Sequence, residues 1–393
     1  MARRYNGRTN AVTRESAVPS VSEMTTLQEI AMEAKRRLAP MVWDSLVGGA
    51  ESETTLKRNR WSLDSVAFRP RVLVDVQKVD ASTRFLGQAL RIPVMCAPIG
   101  SLHLYDPGAA VTVVKAAHSF GTLPIISTVA APGAADTAKA TPGPKIFQLY
   151  VRGDRAWCDD LLDKVVAAGY VALVVTADVA YYSRRERDLI NKFERRKFVA
   201  RANIGNISER EEFNHQAQIT WDFLDYCRAR TGLPIILKGV ATAEDAKLAV
   251  EHGVACVYAS NHGGRQLDHG AGTLELLTEI VEAVAGQATV VIDGGFMRGT
   301  DVIKALAMGA TAVGIGKLQG LALAAGGEEG LVKALEILER EMVVAMGLLG
   351  VTSVSQLGPR HLRPATPMTA PGACSPYPVY LDTFGPGGLG GGS

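Results

Sequence analysis

Several large protein classes are excluded by what the chain has little of. Its 393 residues include only 6% aromatics and five cysteines, at Cys96, Cys158, Cys227, Cys256 and Cys374. Five is an odd count, the positions are scattered, and no spacing among them suits a metal. Neither a disulfide framework nor a metal site is therefore expected, and the thiols read as reduced ones in a cytoplasmic protein. No apolar run approaches the roughly 18 residues of a membrane span. Neither charge sign is in excess: 42 Lys and Arg face 40 Asp and Glu, a formal +2. That balance argues against nucleic acid as a partner. Arg3 and Arg4 have the charge of a secretory n-region, but no apolar stretch follows them.

The composition itself is that of a soluble globular protein, 47% hydrophobic and 21% charged, long enough to bury a sizeable core. The length suits two or three domains, or one large barrel with extensions. Residues 1–25 are polar and aperiodic, which predicts a flexible arm. Residues 358–393 are rich in Pro and Gly and predict an irregular tail. From Thr26 to about Gly48 the apolar residues Leu27, Ile30, Ala31, Ala34, Leu38 and Met41 recur at helical spacing, predicting a helical extension.

Eight short apolar, β-branched runs follow: Ile92–Ala97, Leu123–Val129, Lys145–Tyr150, Val171–Asp178, Pro234–Gly239, Ala255–Asn261, Thr289–Asp293 and Ala312–Gly316. Amphipathic stretches stand between them, including Arg155–Ala168, Ala243–His252, Leu274–Ala285, Asp301–Met308 and Glu329–Met346. Strands without polar alternation are buried on both faces, which means a parallel sheet. Eight strand–helix alternations close most naturally into a (β/α)8 TIM barrel over about residues 90–350, within a domain of residues 26–357. A doubly wound open sheet is the weaker alternative. A polar insertion at about residues 194–220, after the fourth strand, has the length of an active-site lid.

In such a barrel the site lies at the C-terminal ends of the strands. Tyr150, Asp178, Lys238, Ser260 to Arg265, Asp293 to Gly295, and Gly316 with Lys317 all fall there. Glycines after the last two strands let backbone N–H groups approach a phosphate, and Lys317 adds charge. His262 directly follows a strand between polar and glycine neighbours, with Asp178 able to reach it, an arrangement suited to a general base. Arg265 suits a two-pronged grip on a carboxylate, the alternative being a surface pair with Asp268. Lys238, at the end of an apolar strand, needs an anionic partner to be buried.

The run Ser260–Asp268 (Ser-Asn-His-Gly-Gly-Arg-Gln-Leu-Asp) resembles the signature of the FMN-dependent 2-hydroxy-acid oxidase/dehydrogenase family. The resemblance extends from about Thr26 to about Gly350. It takes in Phe68–Arg71, Gln148–Tyr150, Arg184-Arg185, Leu237–Gly239 and Asp293–Gly295. It implies an FMN enzyme that oxidises a small-molecule 2-hydroxy acid to a 2-oxo acid and passes the electrons to oxygen or another acceptor. A homotetramer is also implied. By the resemblance His262, paired with Asp178, is the base, and hydride and carbanion routes both stay open. Arg265 and Arg185 hold the substrate carboxylate, Tyr150 bonds the hydroxyl or keto oxygen, and Lys238 stabilises reduced flavin. FMN contacts are implied at Ala97, Pro98, Ile99, Gly100, Ser127, Gln148, Thr176, Lys238 and Ser260. Others are implied at His262, Gly263, Arg265, Asp293, Gly294, Gly295, Arg298, Gly316 and Lys317.

The chain also departs from that pattern. Ser45 stands where the family has a tyrosine for the substrate carboxylate, which predicts a substrate larger than glycolate, walled by Tyr181, Tyr182 and Val129. Met297 and Lys317 stand at two arginine positions, which predicts weaker FMN retention unless Arg298 turns inward. Gly100 replaces the alanine usual in the oxidases and leaves the electron acceptor open. Two other readings are a flavin-dependent tailoring oxidase or monooxygenase acting on a larger substrate, and a phosphate-ligand barrel without redox chemistry.

Overall fold

All eight apolar runs form strands of one barrel. The computed structural model describes residues 20–207 and 214–384. The barrel strands are, in order, Val94–Cys96, Ile125–Ser127, Ile146–Leu149, Ala172–Thr176, Ile235–Val240, Cys256–Ala259, Thr289–Asp293 and Ala312–Ile315. From the second strand on, each pairs in parallel with the next, and the eighth pairs with the first, Gly314 opposite Met95. A bridge from Cys96 to Pro124 joins the first strand to the second. Closure leaves no free edge, so every strand is buried on both faces.

Burial on both faces explains the missing polar alternation. In the fourth strand Ala172 and Val174 pack inside the barrel, while Leu173 and Val175 face the helices. Tyr258 fills the interior, and the absence of a side chain at Gly314 makes room for its hydroxyl. A hairpin, Thr83–Phe85 with Gln88–Leu90, places Phe85 and Leu90 in the same inner cluster and plugs the barrel's lower end. The five cysteines are buried free thiols. Among the described residues no helix is long and apolar enough to cross a membrane.

The extensions differ from expectation. The single helix predicted over 26–48 is two, Leu27–Arg37 and Pro40–Val47. Thr26 starts the first by accepting from the Glu29 N–H at 3.3 Å, and Pro40 both bars its continuation and suits the first position of the second. A further helix, Thr54–Asp64, was not anticipated. The helix expected over 329–346 spans Lys317–Leu349, bent at Gly326-Gly327 where the second glycine has φ +56°.

The arm and the tail are corrected where they are described. Val21 and Met24 are buried, Val21 against Gly326, so these two side chains anchor residues 20–25 to the core; residues 1–19 lie outside the described range. The tail is not wholly irregular from 358. Leu362–Pro364 pairs antiparallel with Val66–Phe68, and Pro378–Phe384 is helical, with Tyr377 and Tyr380 buried. Burial of these two aromatics is what overrides the local Pro and Gly content. In the insertion, Gln216 bridges the Val151 N–H (2.7 Å) and the Thr176 carbonyl (2.9 Å), and Ile204 is buried. Residues 208–213 of the expected lid lie outside the described range.

A buried ion pair joins the N-terminal helices to the barrel. The Arg60 guanidinium grips both Asp301 oxygens at 2.7 and 2.8 Å and reaches Asp64 at 2.6 Å. Asp301 also accepts from the Met297 and Arg298 N–H groups at 3.0 Å. Burial raises the Asp301 pKa, but Arg60 more than reverses that and keeps it ionised. Arg60→Ala should therefore cost about 3–5 kcal/mol in chemical denaturation, because it leaves the Asp301 charge buried without its partner. A loss below about 1 kcal/mol would show that the pair does not join the two parts.

Candidate active site

A cavity open at its mouth occupies the C-terminal end of the barrel. Its wall includes Ala97, Pro98, Ile99 and Gly100 after the first strand, Val129 after the second, and Tyr150 and Arg152 after the third. After the fourth strand come Val179, Tyr182 and Arg185, and the insertion contributes Val199 and Arg201. The later strands supply Lys238, then His262, Gly263, Arg265 and Gln266, then Asp293 to Met297, and finally Gly314, Gly316 and Lys317.

His262 sits in the left-handed region at φ +58°, followed by Gly263 at +66° and Gly264 at +73°. A side chain at Gly264 would strike the Leu56 backbone, which explains the second glycine. The turn is held by hydrogen bonds from the His262 N–H to Ser260 Oγ (3.1 Å) and from the Gly264 N–H to Asn261 Oδ1 (3.1 Å). The Ala50 N–H donates to the Gly264 carbonyl at 2.9 Å. Asn261 and Asn59 exchange side-chain amide bonds at 2.7 and 2.9 Å.

The imidazole Nδ1 lies 2.9 Å from Asp178 Oδ1, and Nε2 lies 3.4 Å from the Tyr150 hydroxyl. A proton on Nδ1 donated to Asp178 leaves Nε2 as the acceptor. Burial lowers the His262 pKa; Asp178 opposes this without cancelling it, so the ring is neutral at neutral pH. Burial pushes the Asp178 carboxyl up, but His262 and Lys238 hold it below the ordinary value. Gly239, at φ +107°, leaves the space that Asp178 fills.

Lys238 already has a protein partner. Its ammonium lies 3.1 Å from Asp293 Oδ2 and donates to Ser260 Oγ at 2.6 Å, while Ser260 donates to Asp293 Oδ1 at 2.6 Å. Behind the wall, Ser127 donates to Gln148 Oε1 at 2.5 Å and Gln148 donates to Thr176 at 2.9 Å. Ser127, Gln148, Thr176 and Ser260 are thus buried beneath the cavity surface.

The two arginines are fixed from outside. Arg265 Nη1 donates to the Ser45 and Gly48 carbonyls, 2.7 and 2.8 Å away, at the C-terminal end of the Pro40–Val47 helix. Asp268 does not pair with Arg265; it accepts from the Thr55 N–H at 2.8 Å and Ser52 Oγ at 2.7 Å. Arg185 donates to the Tyr182 hydroxyl at 2.9 Å and stacks on that ring.

Three expectations are corrected. Ser45 is not part of the cavity wall: its hydroxyl faces Asp188 at 3.4 Å, and the neighbouring Leu46 lines the cavity instead. Arg298 does not turn inward, since it precedes the Gly299–Ala307 helix and its guanidinium pairs with Glu341 at 3.0 Å. Tyr181 is exposed, leaving Tyr182 and Val129 as the walls. Arg152, Arg201, Gly372 and Ala373 line the cavity without having been anticipated. Sequence held no signal for them, because each comes from a loop whose direction only packing decides.

At the last two turns Gly294 and Gly295 are left-handed, φ +104° and +85°, and Gly316 caps a helix with open space at its Cβ position. Lys317 begins that helix and donates to the Gly263 carbonyl at 2.8 Å. Burial, and then Arg265, lower its pKa to about 7. An under-compensated cation beside a helix N-terminus and two glycine turns fits a phosphate dianion. FMN fits this set, and Gly316 and Lys317 are residues that would hold its phosphate.

The fold and this mouth are those of a barrel with a cleft suited to a phosphate-bearing cofactor and an imidazole–carboxylate pair at its rim. The sequence profile of the FMN-dependent dehydrogenases matches residues 34–364. Glycolate oxidase 1 of Oryza sativa subsp. indica is 37% identical over 355 residues, covering 87% of this chain and 96% of the relative. L-lactate oxidase of a Nostoc species is 38% identical over 356 residues, covering 86% and 98%. The crystal structure of mandelate oxidase superposes with a TM-score of 0.82 at 36% identity, covering 88% of this chain and all of that one. The chain belongs to the FMN-dependent dehydrogenase family and is an FMN enzyme of the 2-hydroxy-acid oxidase/dehydrogenase type. Family membership sets aside the reading as a barrel without redox chemistry.

The Lys317 titration has a measurable consequence. Lys317 loses its charge as pH rises above about 7, and a bound phosphate keeps it protonated. FMN affinity should therefore fall between pH 7 and 9, by up to about tenfold per pH unit. Lys317→Arg keeps its charge throughout and should abolish that fall. Equal pH profiles for the two proteins, read by flavin fluorescence titration, would contradict this.

Proposed function

We propose that this enzyme oxidises a 2-hydroxy acid with a bulky, largely apolar side chain to the 2-oxo acid, with His262 as the base. The observation that carries the reading is the imidazole with Nδ1 tied to Asp178 and Nε2 directed at the Tyr150 hydroxyl. A substrate hydroxyl placed at that point gives its proton to Nε2. Asp178 stabilises the imidazolium that results and keeps the ring oriented. Tyr150 donates to the same substrate oxygen; burial pushes its pKa well up, so it stays a donor. Arg265, braced by the N-terminal helices, meets the substrate carboxylate with Arg185 beside it. FMN supplies the two-electron acceptor. The Lys238–Asp293 pair sets a positive charge against the cavity floor without an unpaired buried ion.

Side-chain preference is read from the walls. Val129, Val179, Val199, Tyr105 and Tyr182 enclose the mouth, and the carboxylate in the described lining, Asp293, is committed to Lys238 and Ser260. The solved mandelate oxidase relatives include complexes with (S)-2-phenylpropionate and benzoyl-formic acid, both aromatic. The size preference therefore rests on these walls and no longer on Ser45.

Two experiments test the reading. His262→Asn should retain FMN but reduce it with substrate about 10²–10⁴-fold more slowly in anaerobic stopped-flow. An unchanged reduction rate would remove His262 from the reaction. In a panel of hydroxy acids, mandelate-like compounds should reduce the flavin faster than glycolate, and Val129→Phe should narrow that gap. Glycolate as the best substrate would refute the size preference.

A further inference from the structure

The family profile ends at residue 364, yet residues beyond it return to the cavity and wall its glycine-turn end. Gly372 and Ala373 line the cavity together with Gly294, Gly295, Met297 and Lys317. The segment is anchored. Tyr377 is fully buried, and its hydroxyl donates to the Met297 carbonyl at 2.9 Å. Tyr380 stacks on Trp43 with ring centroids 5.9 Å apart, and the Val379 N–H donates to Gln28 at 2.8 Å. The turn itself is locked, with the Ser375 hydroxyl donating to the Gly372 carbonyl at 2.9 Å and the Tyr377 N–H to the Cys374 carbonyl at 3.0 Å.

Two of the nearby arginines are committed elsewhere: Arg60 to Asp301 and Asp64, and Arg298 to Glu341. Lys317 stands at this end, and it titrates near neutrality. An anionic group held by main-chain N–H groups and one such lysine leaves readily unless its path to solvent is covered. Gly372-Ala373 form part of the wall at this end.

We propose that residues 365–384 complete the FMN site as a retaining wall, in which Tyr377 positions the Gly294–Met297 turn and Gly372-Ala373 cover the phosphate. The inference rests on FMN being the occupant. Tyr377 is a positioning residue: it acts on the phosphate through the Met297 carbonyl and the turn that precedes it. The segment slows release of the cofactor more than it adds contacts to it, so its signature is a dissociation rate.

The test uses the full chain, Tyr377→Phe, and a chain ended after Ala365, each loaded with FMN. Dissociation is followed by recovery of free-flavin fluorescence on dilution, and FMN-free melting is followed by circular dichroism. Tyr377→Phe keeps the buried ring and removes only the hydroxyl; it should release FMN about three- to tenfold faster, with FMN-free melting lowered by no more than the few degrees of one buried hydrogen bond. The shortened chain should release it at least tenfold faster. Parent-like release from Tyr377→Phe overturns the proposal, whether or not the shortened chain folds. An intact chain that binds no FMN overturns the cofactor assignment as well, a result distinct from intact binding with variants that behave like the parent.

Discussion

The site depends on one short left-handed turn. Asn261 to Gly264 must bring an imidazole to the barrel mouth facing Asp178, and a non-glycine residue at φ +58° adopts that conformation only at some cost. The surrounding structure over-determines it. Ser260 holds the His262 N–H, Asn59 pairs with Asn261, Ala50 takes the Gly264 carbonyl, and Leu56 packs where a side chain at 264 would be. Three of those four partners lie in the N-terminal extension. The barrel supplies the strand from which His262 projects, and the extension holds the conformation that makes the projection useful.

Charge at the mouth is managed by graded commitment. Arg60 is fully paired with two carboxylates and serves as structure. Lys238 is paired with Asp293 and Ser260, so it can stand at the cavity floor without an uncompensated burial cost. Lys317 donates to the Gly263 carbonyl and is lowered toward neutrality by burial and by Arg265. The gradient runs from groups that fold the protein to one whose charge is completed by an anion.

Both ends of the described chain converge on the mouth. The helices of residues 27–64 brace Arg265 through the carbonyls of Ser45 and Gly48. Residues 365–384 brace the seventh-strand turn through Tyr377, and Tyr380 stacks on Trp43 of those same N-terminal helices. A closed barrel presents its catalytic loops to solvent by default, and such wrapping excludes water from the loops on which electrostatic interactions depend.

The eight strands and the parallel barrel were legible in the sequence because burial on both faces writes itself as uninterrupted apolar runs. His262, Asp178, Tyr150, Lys238 and the two glycine turns were legible too, since strand ends are fixed by the runs that precede them. Ser45, Arg298 and Tyr181 were misplaced for a shared reason: each lies on a helix, a cap or a loop, where a rotation of about 100° per helical residue, or an open backbone path, sends the side chain to a different neighbour. A helical pattern broken by Pro40 was read as one helix because the apolar period survives the break. The tail's Pro and Gly content concealed its order, which comes from the burial of Tyr377 and Tyr380 against distant parts of the chain. The sequence by itself determined the barrel and its cofactor class. Tertiary structure alone decided which arginines face the cavity and what closes it, because those depend on contacts between segments hundreds of residues apart, which no local pattern encodes.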